Sequence, residues 1–180
     1  MGDEKSPPFF MNIAGIKNFD VENGVEVGVS VFVSGCTHNC KGCFNKEAQD
    51  FNYGRPFDKE KDIKKIKDML NSKYISRLTI LGGEPMEYQN VEGVLEVIKG
   101  AKDLGKKIWL YSGYTLEGLL ERNDETTNEI IDNIDYLVDG EFILEKKNLM
   151  LRFKGSSNQR VIDVPKSLES GKIILSKYND

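Results

Sequence analysis

The chain has 180 residues, 39% of them hydrophobic and 30% charged, which suits one globular domain with a single core. Its 29 acidic and 25 basic side chains leave a net charge of −4, which offers no general attraction to nucleic acid or to an anionic membrane. No apolar run reaches the roughly 20 residues of a membrane helix, and the first ten residues, MGDEKSPPFF, carry acids and prolines where a signal peptide would be apolar, so a cytoplasmic protein is expected.

In chain order, residues 1–15 read as an amino-terminal extension, with Pro7 and Pro8 discouraging regular structure, and residues 16–180 as one domain. The valine-rich stretch from Val25 to Ser34 predicts a strand that runs into Gly35 and a cysteine loop. Asp58 is placed to cap a helix whose first turn holds Glu60 and Asp62, and whose Ile63, Ile66, Met69 and Leu70 share one face. Arg77 to Leu81 predicts a buried strand ending at Gly82-Gly83, and Val91, Val94, Leu95 and Ile98 mark a second helix that Gly105 can stop. Lys107 to Tyr111 predicts a third strand, broken by Ser112-Gly113, and Thr115 can cap a short helix. A helical stretch near Asn128 to Asn133 then precedes a strand from Tyr136 to Val138, and the tail from Phe142 reads as a hairpin and loops.

Strands separated by helix-length segments argue for a parallel α/β sheet with right-handed crossovers. Four or five such units fit into this length, whereas a full eight-unit barrel takes about 250 residues. The expected fold is therefore an α/β open, partial parallel βα barrel. Ligands of parallel sheets gather beyond the carboxyl ends of the strands. The cysteine loop, Gly82-Gly83-Glu84 and Ser112-Gly113 each follow a predicted strand, so they converge on one edge.

All three cysteines lie between Cys36 and Cys43, spaced C-x3-C-x2-C. An odd number packed into one loop argues against a secreted disulfide framework and for ligation of a metal or cluster. Cubane iron–sulfur clusters are normally held by four thiolates. With Cys36, Cys40 and Cys43 alone, one iron is left without a protein ligand, open to an amino acid that chelates through its amino and carboxylate groups. Two other readings of the residues stand beside this one. One is a Cys3His zinc module completed by His38, the only histidine, although zinc ligands usually come from two separated segments. The other is an electron-transfer ferredoxin, which would normally supply a fourth cysteine.

The cysteine loop after a valine-rich strand resembles the signature of the radical S-adenosylmethionine superfamily. Collinear stretches narrow the resemblance to the anaerobic (class III) ribonucleotide reductase activating enzymes: DVENG at 20–24, FVSGC at 32–36, CFNK at 43–46, LGGEP at 81–85, KIWLYSGY at 107–114, LVDG at 137–140 and GSSNQ at 155–159. Together they cover about residues 16–160. The resemblance implies an oxidoreductase that reductively cleaves S-adenosyl-L-methionine at a [4Fe-4S] cluster. The resulting 5′-deoxyadenosyl radical takes a hydrogen atom from a carboxyl-terminal glycine of the anaerobic ribonucleoside-triphosphate reductase, making its glycyl radical. It also implies an electron donor such as flavodoxin. Cys36, Cys40 and Cys43 would be the cluster ligands. Gly42, Cys43, Phe44, Gly82, Gly83 and Glu84 would contact S-adenosylmethionine, the glycines through close backbone approach and Glu84 by accepting from the ammonium. Phe44, where tyrosine is common in the family, would keep ring packing against adenine but lack a phenol. Activation of another glycyl-radical enzyme, or action on a small molecule, would share these residues. His38 reads as a loop residue and Trp109 as core. Hydrogen-atom abstraction needs no general base, so no catalytic acid or base is expected beyond the cluster and its ligands.

Overall fold

The computed structural model describes residues 9–180. One seven-stranded sheet organises them, in the order β3-β1-β2-β4-β5-β6-β7. The strands are β1 Asn12–Asp20, β2 Gly28–Val33, β3 Arg55–Pro56, β4 Arg77–Gly82, β5 Lys107–Ser112, β6 Tyr136–Asp139 and β7 Arg160–Asp163. The central four, β2, β4, β5 and β6, are parallel. β1 pairs antiparallel with both β2 and β3, and β7 pairs antiparallel with β6. The sheet is open, with β3 and β7 at its two edges. It is thus a mixed α/β fold with a parallel-rich centre.

The parallel centre follows the expected alternation. Helix α1 (Lys59–Leu70) starts where Asp58 accepts the Lys61 amide at 3.0 Å. Helix α2 (Val91–Lys102) follows β4, and α3 (Leu116–Glu121) and α4 (Glu125–Asp132) lie between β5 and β6. Helix α4 begins three residues ahead of the predicted Asn128, because Asp124 caps it by accepting the Thr127 amide at 2.7 Å. α1 packs on α2 and α2 on α4. Their apolar faces meet alternate strand residues, among them Val31, Leu78, Ile80, Ile108, Leu110 and Leu137, in the main core.

The intervening strand residues face the other side, where Trp109, Val138 and Val161 form a small second core. Trp109 is 1% exposed and is core, as its strand position predicts. Farther along the same strands, Phe32, Leu81, Tyr111 and Val138 line a cavity beyond the carboxyl ends.

Three differences from the sequence reading concern the flanks. β1 begins at Asn12, inside the stretch 1–15 set apart as an extension; Met11 and Ile13 are buried in the main core, and residues 1–8 lie outside the described residues. β2 begins at Gly28 rather than Val25, because the Arg77 guanidinium takes the Val25 carbonyl at 3.0 Å and holds residues 21–27 as a loop. The tail adds β7 and α5 (Val164–Ser170), the latter capped by Asp163 and ended by Gly171 in the left-handed conformation. Among the described residues no helix is long and apolar enough to cross a membrane.

Candidate functional site

The ends of β2, β4, β5 and β6 open onto one cavity of about 930 Å³. Cys36, Cys40 and Cys43, all half-buried, are among its walls, as are Phe44, Gly82, Gly83 and Glu84. Of the residues expected to hold the cluster or S-adenosylmethionine, Gly42 alone is not a wall; its backbone is left-handed (φ +75°), and a Cβ there would meet Leu144 at 2.9 Å.

The cysteine loop is stitched to its neighbours by its backbone. Gly35 N–H donates to the Ala48 carbonyl at 2.7 Å, Cys36 N–H to Gln49 at 3.1 Å, and the Gly35 carbonyl accepts from Glu84 N–H at 2.8 Å. Cys43 N–H closes the loop on the Cys40 carbonyl at 3.2 Å. The crossing at Gly83 leaves no room for a side chain, since a Cβ would lie 2.5 Å from the Ala48 carbonyl oxygen and 2.7 Å from that of Gly35. The glycine pair therefore first serves close approach of two chain segments.

Glu84 is wholly buried, and four donors surround its carboxylate. Oε1 accepts from Gly113 N–H at 2.6 Å and His38 Nε2 at 2.8 Å; Oε2 accepts from Met86 N–H at 2.8 Å and the Ser112 hydroxyl at 2.9 Å. One side chain thus ties the cysteine loop to the loops after β4 and β5. The sequence reading gave this carboxylate to a substrate ammonium, but the chain itself already supplies it with a full set of donors.

His38 is the residue that sequence reasoning most undervalued. Its Nδ1 lies 2.8 Å from Glu141, in the loop after β6, so the ring bridges Glu84 and Glu141. The hydrogen bond to Glu84, opposed by burial and aided by Glu141, pushes its pKa up to about 9, which makes it a cation that donates from both nitrogens. Glu87 adds a second tie, taking the Thr37 amide at 2.8 Å and its hydroxyl at 2.6 Å. Asn90 joins the carbonyls of Ser34 and Glu84, each at 3.0 Å. Polar residues at strand ends were the only signal for these partners.

Burial, then the acids Glu84 and Glu87, push the Cys36 thiol up to about 12; burial and Glu141 raise Cys40. Both surroundings favour the protonated thiol, and a bound metal would offset this by favouring the thiolate. A single zinc ion would need about four donors converging on one point at about 2.0–2.3 Å. His38, the fourth donor that such a site would draw on, is engaged at both nitrogens by Glu84 and Glu141. A cubane instead takes each thiolate on a separate iron. Three soft donors in one loop, walling a roomy cavity, fit a [4Fe-4S] cluster with three protein ligands.

Three thiols at a strand-end cavity suit a small iron–sulfur domain, and residues 22–162 match the family model of the 4Fe-4S single cluster domain. An anaerobic ribonucleoside-triphosphate reductase-activating protein of Salmonella typhimurium is 40% identical over 146 residues, 79% of this chain and 92% of that protein. Proteins of the same name from Vibrio cholerae (37% over 152 residues, 83% and 96%) and from Enterobacteria phage T4 (32% over 155 residues, 84% and 93%) are also similar. The chain belongs to the family of anaerobic ribonucleoside-triphosphate reductase-activating proteins.

Proposed function

We propose that this chain is a radical S-adenosylmethionine enzyme that arms the anaerobic ribonucleoside-triphosphate reductase. The observation that carries the reading is three cysteines, with no fourth, on the wall of the cavity that the glycine-rich loop after β4 also lines. Cys36, Cys40 and Cys43 would hold the cluster. Once bound and reduced, it supplies the electron that splits S-adenosylmethionine into methionine and a 5′-deoxyadenosyl radical, which takes a hydrogen atom from a carboxyl-terminal glycine of the reductase.

The chain's own residues position and exclude. The Gly82 and Gly83 backbone offers polar atoms to the amino acid end of S-adenosylmethionine, with Glu84 holding that backbone in place. Phe44, whose ring packs on Phe142 with centroids 5.1 Å apart, forms an apolar wall for adenine. Gly42 sets the left-handed turn that directs Cys43 and Phe44. In this reading the open sheet is a partial radical S-adenosylmethionine barrel, residues 16–180 with the start of β1 form its single domain, the protein is cytoplasmic, and a donor such as flavodoxin delivers the electron.

The test is made without oxygen. The chain is reconstituted with iron and sulfide, iron is counted, and 5′-deoxyadenosine is assayed after adding dithionite and S-adenosylmethionine. About four irons per chain, deoxyadenosine formation and its loss in Cys40→Ala are expected. A glycyl radical signal on added reductase completes the assignment. One bound zinc with no cleavage overturns it.

A further inference from the structure

The segment between β6 and β7 forms a hairpin at the cavity mouth. Lys147 bridges to Ser156, Ser157 N–H donates to the Lys146 carbonyl at 2.9 Å, and Asn148 N–H donates to Gly155 at 3.2 Å. Its turn is held by Asn148, whose Oδ1 accepts the Met150 amide at 2.9 Å. Its base is anchored by Phe153 edge-on to Trp109 (5.2 Å) and by Lys154, which donates to the Asp180 carbonyl at 2.9 Å. A hairpin fixed in this way has no conformational reason to hold apolar side chains in water.

Yet its tip does. Leu149 and Met150, 79% and 88% exposed, are the most exposed large apolar side chains of the described residues, and Ile143 and Leu144 at its foot are also exposed. Around them stand Lys146, Lys147 and Arg152, all exposed, with no carboxylate partner among the described residues. Residues 142–154 hold four cations and one acid in a chain of net charge −4. The hairpin is thus an apolar and basic island on an acidic protein.

Its position says what covers it. Asn148 and Leu149 are walls of the cavity as well as parts of the hairpin. Lys147 lies 5.2 Å above the Phe44 ring, next to the cluster loop. A protein that gives up a hydrogen atom inside this cavity has to cross its rim, and the hairpin is part of that rim.

We infer that the tip of this hairpin docks the target protein, through a segment of the target that carries apolar side chains flanked by carboxylates. This rests on the activating role proposed above. Met150 and Lys146, neither a wall of the cavity, carry the test. The reconstituted holoenzyme is compared with Met150→Ser, Lys146→Glu and the double variant, against the full-length reductase.

Deoxyadenosine formation in the absence of reductase stays at the parent level in all three. The reductase concentration that half-saturates glycyl radical formation rises about tenfold in the double variant, the scale of an interface anchor. The salt dependence of that concentration flattens in Lys146→Glu. Direct binding of reductase, measured by calorimetry, weakens in parallel. Unchanged half-saturation and binding in the double variant overturn the inference. So does a chain that dimerises by itself and loses that dimer in Met150→Ser, since the tip then serves a second copy. If the parent cleaves no S-adenosylmethionine, the proposed function fails, and the calorimetry still decides docking: parent binding lost in the double variant sustains it, and no parent binding sinks it.

Discussion

Replacing Glu84 by alanine separates a structural tie from a cofactor contact. The substitution takes the acceptor from four donors at once: the Met86 and Gly113 amides, the Ser112 hydroxyl and His38 Nε2, all within 2.6–2.9 Å. Each donor left buried without a partner costs about 1–3 kcal/mol. Gly113 and His38 border the cavity, where water can reach them, so the sum falls below four full penalties. A loss of about 3–5 kcal/mol is expected, in the range seen when one partner of a buried charged network is removed. For a chain of this size that lowers the melting midpoint by roughly 6–20 °C.

The assay is urea unfolding of the full chain without iron or S-adenosylmethionine, followed by circular dichroism and extrapolated linearly to water. Glu84→Gln, which keeps the volume and one acceptor oxygen, should lose about half as much. A side chain whose task was to receive a substrate ammonium would behave differently. Its removal would leave the ligand-free chain within about 0.5 kcal/mol of the parent and weaken only S-adenosylmethionine binding. That result would refute the reading of Glu84 as the tie between three loops.

Arg77 is 1% exposed and donates to the carbonyls of Val25 (3.0 Å) and Asp20 (2.8 Å) and to the Thr79 hydroxyl (2.8 Å), so Arg77→Met should cost about 3–5 kcal/mol and expose amides 21–27 to hydrogen exchange. Burial raises the pKa of Asp20, but hydrogen bonds from Ser30, Glu22 N–H and Asn23, with Arg77 nearby and Lys17 at its rim, outweigh it and hold the carboxyl at about 2 against an ordinary 3.8. A depressed carboxyl stabilises the fold above its unfolded value and ceases to do so as pH falls through the folded one; urea midpoints should show about 2 kcal/mol lost between pH 5 and 2, with a flatter profile in Asp20→Asn. Gly83→Ala should push the cysteine loop off the loop after β4 and lower iron retained per chain, whereas Gly15→Ala, with nothing within 4 Å of the added carbon, should match the parent in both iron and urea midpoint.

What the sequence disclosed was whatever depends on near neighbours. The valine run of β2, the apolar stripes of α1 and α2, and the Asp58 and Thr115 caps are set by residues a few positions apart, and they alone imply a parallel sheet with three loops at one edge. β1 was hidden because Asn12–Asp20 breaks its own apolar pattern: Lys17, Asn18 and Phe19 are exposed, and Phe19 has a positive φ. β7 is four residues long and is defined by pairing with β6. The ties within the site are long-range, with His38 reaching Glu84 across 46 positions and Glu141 across 103. No local rule marks His38 as a bridge, because both carboxylates arrive only once the carboxyl ends of β4 and β6 lie at the same edge of the sheet.

The same ties occupy many of the ionisable groups at and around the cavity. Glu84 has four donors and His38 two acceptors. Glu87 is taken up by Thr37, and Asp139 by Arg160 and the Leu116 amide. Lys154 is turned away to Asp180. Tyr111 on the cavity wall is held as a neutral phenol because burial raises its pKa above the ordinary value. Here Glu84, His38 and Glu87 fix where the loops stand, while the thiols of Cys36, Cys40 and Cys43 line the cavity, as does Glu22, which pairs with Lys17 at 3.2 Å. The carboxylates and His38 thus act by keeping the cysteine loop in place against the loops after β4, β5 and β6.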